Sequence, residues 1–268
     1  MDVRSGTLYP HYFRILMLRS FHLVFPFVLV ATAPCYAQHG LRDTIITVVP
    51  ITLSYAYQLP QGDMATRFGP NSNLGLSAGV KFKNNYYLGV EGSFIFGNRI
   101  NDNSMLNQLI TDNGVIVDQN GEPATVLLYE RGYTLMLTAG KVMPIVGPNP
   151  NSGLLLKIGG GYLRHKIRIE TQNNVVPALE DEYLKGYDRL TAGPAAMVFI
   201  GYQHFGNNRF INFVIGFELN TAFTHNLRPY NFDTGKTDDD QRVDGLNGLR
   251  FGWTLPLHKA ADDRIYYR

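Results

Sequence analysis

NSNLGLSAGVKFKNNYYLGVEGSFIFGN, residues 71–98, is the stretch that decides the fold. Apolar side chains alternate with glycine and polar side chains on both sides of the central Lys83-Asn84-Asn85. A period of two is typical of β-strands, and asparagine tolerates the left-handed backbone of a tight turn. The stretch therefore predicts a hairpin whose strands approach the ~9–11 residues that a tilted strand needs to cross a membrane. One face carries Leu74, Leu76, Ala78, Val80, Phe82, Tyr86, Leu88, Val90, Phe94 and Phe96.

The same alternation recurs along the chain and predicts eight strands in all. The connections after the second, fourth and sixth strands are short, and the other connections are long. This asymmetry is typical of an outer-membrane barrel with short periplasmic turns and long extracellular loops. We therefore expect an all-β fold, an eight-stranded antiparallel up-and-down transmembrane β-barrel. Outside the hairpin, the predicted strands are about Val49–Leu59, Thr125–Val142, Leu154–Ile169, Leu190–Phe205, Phe210–Phe223 and Leu249–Leu257.

One predicted strand, Leu154–Ile169, does not keep its alternation. Up to Tyr162 the even-numbered positions are apolar, but beyond it Leu163, Ile167 and Ile169 are the apolar set. An extra residue in the strand would restore the phase, so we expect a β-bulge near Tyr162.

The face opposite the apolar one is rich in glycine rather than in lysine, glutamate and threonine. A secreted soluble β-barrel that binds a ligand would turn its apolar face inward and would need a hydrated outer face. Glycine suits the crowded interior of a narrow barrel better, which favours the membrane barrel. Aromatic residues near the predicted strand ends fit interfacial girdles; they are Tyr55, Tyr57, Tyr86, Phe94, Phe96, Tyr202 and Phe223.

The N-terminus has the pattern of a secretory signal. Arg4, Arg14 and Arg19 precede an apolar run at 22–33, and Cys35-Tyr36-Ala37 offers small residues to a signal peptidase. We expect cleavage near Ala37, which makes 1–37 a signal peptide and 38–268 the barrel domain in the outer membrane of a Gram-negative bacterium. The run is shorter than the ~20 residues of a spanning helix. An uncleaved membrane anchor and lipidation at Cys35 remain the alternatives.

The charge balance excludes some functions. The chain has 24 Lys and Arg against 22 Asp and Glu, and cleavage would remove three arginines and Asp2. The mature chain is then close to neutral and has no electrostatic footprint for nucleic acid. The single cysteine, Cys35, leaves with the signal, so neither a disulfide nor a thiolate metal site is expected.

Three features carry a resemblance to a known family: the signal end Cys35-Tyr36-Ala37-Gln38, the hairpin Leu74–Phe96 and the final Gly252-Trp253 strand. On them the chain resembles the small outer-membrane β-barrel proteins of the OmpA-transmembrane-domain and OmpW-like class, in the form common in Bacteroidota. The resemblance implies contact with outer-membrane lipid and, as a partner, another outer-membrane or periplasmic protein. The chain departs from many such barrels at its end, Ile265-Tyr266-Tyr267-Arg268, where the aromatic residues are not last.

Six charged residues fall on strand positions that the alternation directs into the barrel. Buried charges must be paired, so three acids and three bases predict an interior salt-bridge network that fills the lumen. A narrow gated pore is the alternative, although eight strands leave it little room. The six residues are Lys81, Glu91, Glu130, Lys157, Glu218 and Arg250.

A second candidate group lies where loops meet strands at the outer rim. These residues either contact a lipid headgroup or a partner, or they order the loop ends. They are Lys185, Tyr187, Asp188, Arg189 and, at a similar level, Arg131.

No pattern predicts catalysis, a metal site or a cofactor. The histidines lie on different elements without a serine at useful spacing, and the acidic run Asp238-Asp239-Asp240 lacks the spacing of a calcium loop. The sequence therefore predicts a non-enzymatic outer-membrane protein with a structural or binding role through its surface loops. An accessory subunit of an outer-membrane secretion or assembly complex, a small diffusion pore and the soluble ligand binder are the alternatives.

Overall fold

The computed structural model describes residues 44–257 except 103, 173, 207 and 209. Each strand pairs antiparallel with the next one along the chain, and β8 pairs with β1, which closes the barrel. The predicted all-β, eight-stranded up-and-down barrel is confirmed. The strands are β1 Val49–Gly62, β2 Asn71–Lys81, β3 Tyr86–Gly97, β4 Thr125–Met143, β5 Gly153–Gln172, β6 Thr191–His204, β7 Phe213–Asn226 and β8 Gln241–Leu257. The predicted signal peptide, Cys35, His258 and the C-terminal aromatic residues lie outside the described residues.

The connections alternate in length as the sequence predicts. The turns between β2 and β3, β4 and β5, and β6 and β7 are short, and they define the short-turn end of the barrel. The other four connections define the long-loop end; they include the short helices α1 (Asp63–Arg67) and α2 (Asp181–Leu184) and two 3₁₀ turns, Asn107–Leu109 and Pro177–Leu179. In the first hairpin, Asn85 adopts φ 63°, the left-handed conformation expected of its turn.

Two sequence expectations about the strands are wrong. The register between β4 and β5 is unbroken from Thr125↔Gln172 to Met143↔Leu154, so β5 has no bulge at Tyr162. Leu163 and Ile167 have the same parity as Lys157 and simply face the lumen where the lumen is apolar. The prediction also misses the first part of β8, which begins at Gln241 rather than Leu249, because polar residues and glycine interrupt the apolar alternation at 241–248.

The outer surface of the barrel is apolar along the strands. Leu137 is 70% exposed, Ile158 65% and Leu249 67%, while the alternate residues face the interior. This is the polarity of a membrane-spanning barrel and the reverse of a soluble one. The aromatic residues named above lie on this outer face. Tyr86, Phe96, Tyr202 and Phe223 are near strand ends, whereas Tyr55 is in the middle of β1. None of the helices in the described part of the chain has the length and hydropathy to span a membrane.

An apolar cluster closes the lumen at the long-loop end, and we call it the apolar cap. It combines inward-facing strand residues with residues from the connecting segments, so that barrel and loops share one core. Its fully buried members include Met64, Phe68, Ile95, Met105, Ile167 and Leu246.

A polar cluster closes the short-turn end. Asn151 donates to the carbonyl of Thr44 at 2.9 Å and accepts from the backbone of Ile46 at 3.1 Å, which holds the segment before β1 across the barrel. Phe205 and Val48 pack together beside it.

Candidate functional site: the lumen and the long-loop cup

Four of the six predicted interior charges meet at mid-lumen, and we call them the charge network. Arg250 lies at its centre: Nη2 donates to Glu218 Oε1 at 2.9 Å, and Nη1 lies 3.2 Å from Glu91 Oε1. Lys157 Nζ reaches the other oxygen of Glu91 at 3.1 Å. Two bases thus balance two acids, and all four side chains are buried.

Glycine makes room for this network. A Cβ on Gly75 would lie 2.7 Å from Arg250 Nη1 and 2.7 Å from Ser54 Oγ, closer than atoms pack. Ser54 in turn accepts from Arg250 Nη1 at 2.7 Å. Glycine at position 75 is therefore a steric requirement of the arginine that occupies the lumen.

The other two predicted interior charges lie elsewhere in the barrel. Lys81 is near the short-turn end, where Nζ donates to Asn151 Oδ1 at 2.9 Å and to the carbonyl of Ile46 at 3.2 Å. Glu130 is near the long-loop end, where Asn71 Nδ2 donates to its two carboxyl oxygens at 3.0 and 3.1 Å. Both side chains are buried, but neither joins the charge network.

The lumen between these layers has little free space. A residual cavity of about 30 Å³ lies beside the charge network and is bordered by Lys81, Tyr87 and Arg250. That is about the share of liquid volume that one water molecule takes, ~30 Å³. With the apolar cap above it, this packing speaks against the pore alternative.

A buried histidine and aspartate meet just below the apolar cap. His165 Nε2 lies 2.9 Å from Asp244 Oδ2, and Thr224 Oγ1 donates to the same oxygen at 2.5 Å. A nucleophile in a catalytic triad must contact the histidine, whereas Thr224 contacts the aspartate. The other ring nitrogen of His165 is buried without a hydrogen-bond partner in the described residues. The arrangement resembles a structural polar pair rather than an activated hydroxyl.

The predicted rim residues divide between buried and exposed positions. Tyr187, Asp188 and Arg189 are buried, and only Lys185 is fully on the surface, paired with Glu182. Arg131 is half-buried and donates to the carbonyl of Glu130 at 2.7 Å.

The buried rim residues tie the loops to one another. Asp188 pairs with Arg228, and Arg189 lies 2.5 Å from Asp233 Oδ2. Tyr187 packs edge-on against Phe232, with ring centroids 5.6 Å apart. These contacts join the β5–β6 loop to the β7–β8 loop.

An open polar cavity of about 700 Å³ lies at the long-loop end, and we call it the cup. The β1–β2, β3–β4, β5–β6 and β7–β8 segments all contribute to it. Its lining is charged and polar: Thr66, Arg67, Asn101, Asp102, Ser104, Arg189, Asn231, Thr234, Lys236, Thr237, Asp238, Asp240 and Arg242.

Carboxylates neutralise two of the arginines in the cup. Arg189 pairs with Asp233 and, at 3.4 Å, with Asp102. Arg242 Nη2 lies 2.5 Å from Asp238 Oδ1. Arg67 differs, since the only hydrogen bond of its side chain within the described residues goes to a hydroxyl, Thr191 Oγ1, at 3.0 Å.

Sequence reasoning singled out Arg189 but missed Arg67, Asp102 and Arg242. The cup residues come from segments more than a hundred positions apart and share no local spacing. Only the closure of the barrel brings the four loops together, so no motif marks them in the sequence.

Comparison with known proteins gives limited likeness. No family model matches the chain, and no curated protein matches it. Among solved structures, the attachment invasion locus protein Ail of Yersinia pestis is 14% identical over 78% of this chain and 99% of its own, with a TM-score of 0.36. The outer membrane protein OprG from Pseudomonas aeruginosa is 10% identical over 81% and 99%, with a TM-score of 0.33. The architecture of this chain is therefore established by its own strand pairing and not by these comparisons.

Proposed function

We propose that this chain is a non-enzymatic outer-membrane barrel that binds a ligand at its long-loop end. One observation carries the proposal: in the described residues the lumen is packed apart from a cavity of about 30 Å³, while a polar cup of about 700 Å³ stands open among the long loops. Ligand sites are concave and orient their ligands with fixed polar groups. The cup is concave, and its lining is polar and charged throughout.

The apolar outer face supports placement in a membrane. Rows of leucine, isoleucine, valine and phenylalanine cover the outside of the strands, and such a surface is stable only against lipid or another apolar surface. The long loops of a membrane barrel extend to the extracellular side. The cup would then face the outside of the cell.

The floor and walls of the cup are held in place before any ligand arrives. Met64 and Phe68, on either side of Arg67, are buried in the apolar cap. Ion pairs of Arg189 with Asp233 and of Asp188 with Arg228 connect the loops. A preorganised site loses less conformational entropy on binding.

The experiment is a binding screen with the folded full-length protein in lipid nanodiscs against glycans, peptides and small anions. A matched variant replaces 234–240 with glycine and serine, which removes part of the cup wall and leaves every strand intact. We expect the native protein to bind at least one ligand class and the variant to lose it. Equal binding by the variant would place the activity elsewhere, and no binding by the native protein to any class would contradict the proposal.

A further inference from the structure

Arg67 lacks the carboxylate partner that the other arginines of the cup have. Within the described residues it forms no ion pair, and its guanidinium has five N–H donors, of which one contacts Thr191. It is half-buried at the end of α1, whose neighbouring Met64 and Phe68 are fixed in the apolar cap. The arginine is therefore held in place with most of its donors unused.

Like charge surrounds this guanidinium. Arg242 and Arg189 line the same cup, and burial together with the charge of Arg242 lowers the pKa of Arg67. The acids whose charge acts on Arg67 are Asp244 and Asp238, and these already bind His165 and Arg242. An incoming anion would complete the pairing at Arg67.

Arg189 also has an unpaired donor, but this donor is buried and not exposed to the cup. Its side chain is buried, and its Nε has no hydrogen-bond partner among the described residues. A planar guanidinium with free donors recognises carboxylate or phosphate through two parallel hydrogen bonds.

The rest of the cup suits hydroxyl groups. Amide and hydroxyl side chains form part of its wall, and both types donate and accept hydrogen bonds. Asn101, Ser104, Asn231, Thr234 and Thr237 supply them. The wall has no aliphatic or aromatic side chain, which disfavours an apolar ligand.

We infer that the cup binds an acidic sugar, a saccharide that bears a carboxylate or a phosphate, with Arg67 holding the anionic group. The inference rests on the proposed binding function and deepens it. The hydroxyl-bearing ring would contact the amide and hydroxyl wall, and the anion would take the unused donors of Arg67.

The test measures affinity by isothermal titration with the full chain in lipid nanodiscs. The probes are glucuronate, glucose 6-phosphate, glucose and inorganic phosphate. The variants are Arg67→Gln, Arg67→Lys and, as a matched control, Arg99→Gln. Arg99 is an exposed arginine at the same end of the barrel and does not line the cup. A change of mobility on boiling confirms that each variant is folded.

We expect an acidic sugar to bind more tightly than glucose. Arg67→Gln should weaken it about tenfold or more, because hydrogen bonds to a charged group contribute ~1.5–3 kcal/mol. Arg67→Lys should recover only part of the affinity, and Arg99→Gln should leave it unchanged.

Several results would overturn the inference. If glucose binds as tightly as the acidic sugars and Arg67→Gln does not change the affinity, the proposed binding function stands but the specificity for an anionic group is refuted. Phosphate that binds as tightly as glucose 6-phosphate would reduce the cup to an inorganic anion site. Failure of all four probes, while the native protein binds another class in the screen above, would remove the sugar and leave the binding function standing.

Discussion

Arg250 Nη2 donates to Glu218 Oε1 at 2.9 Å in the middle of the lumen, and the two side chains are only 4% and 1% exposed. Each charge is removed from bulk water, and the other supplies the opposite charge beside the neutral hydrogen-bond partners Gln58, Asn220 and Ser54. A buried pair of this kind gains little over a well-packed apolar pair, but the loss of one partner leaves a charge without compensation.

Arg250→Met is expected to destabilise the barrel by about 3–5 kcal/mol, because Glu218 would lose its only basic partner among the described residues and Glu91 would keep only Lys157. The measurement is the urea concentration at the midpoint of unfolding in lipid vesicles, and the loss of the fast-migrating gel band reports the unfolding. Lys185→Met serves as the control, since Lys185 pairs with Glu182 on the surface and such pairs contribute little. The double variant Arg250→Met/Glu218→Met should cost less than the sum of its single changes. Additive costs would contradict the coupling described here.

Gly216→Ala is expected to destabilise the barrel by about 1–3 kcal/mol, the usual range for overpacking. A Cβ there would lie 2.4 Å from Gly201 Cα and 2.5 Å from the carbonyl of Ile200, and backbone atoms cannot move aside. Gly160→Ala is the matched control, because Gly160 faces outward on β5 with no atom within 4 Å of its Cβ position. Equal unfolding midpoints for the two variants would show that the inner face is not sterically closed.

Planar-bilayer recordings of the native protein are expected to show no conductance steps. The charge network and the apolar cap fill the lumen, and the residual cavity beside the network is about 30 Å³. Vesicle insertion confirmed by protease protection is the control for a silent recording. Stable, reproducible steps would return the pore alternative to consideration.

Acid is expected to loosen the β7–β8 loop. Burial raises the pKa of Asp238, but the hydrogen bond and charge of Arg242, with a hydrogen bond from Asn231, prevail and hold it below its ordinary value. Because the folded pKa is lowered, the stabilisation is complete above the unfolded pKa of ~3.9 and is lost as the pH falls through the folded value. Hydrogen exchange across 226–242 should accelerate only below about pH 4 in the native protein. In the Asp238→Asn variant, hydrogen exchange in this segment should already be fast at neutral pH. A measured pKa of Asp238 at or above ~3.9 would contradict this prediction.

The sequence was sufficient for the barrel because alternation is local. Leu74, Leu76 and Val80 reveal their shared face from their spacing alone, and the lengths of the connections then order the strands. The prediction failed where the interior turns apolar. At Leu163 and Ile167 both faces of β5 carry large or amphipathic side chains, so the period of two no longer distinguishes inside from outside.

Sequence alternation was also insufficient to predict how the interior charges and the loop residues are arranged. The parity of Glu91, Lys157, Glu218 and Arg250 places them in the lumen, but parity contains no height along the barrel axis. Height separates Lys81 and Glu130 from the charge network, and it follows from the register between strands. The cup required still more, since Arg67 and Arg242 become neighbours only when β1 pairs with β8.

The apolar cap constrains how the outer loops of this protein can diverge. Surface loops of barrels usually tolerate insertion and replacement, because they contribute few residues to the core. Here the loops contribute buried side chains to the apolar cap at the end of the barrel; these are Met64, Phe68, Met105 and Leu179. Sequence variation in these loops would then be confined to outward-facing positions, and replacing a whole loop would remove core residues as well as change the surface.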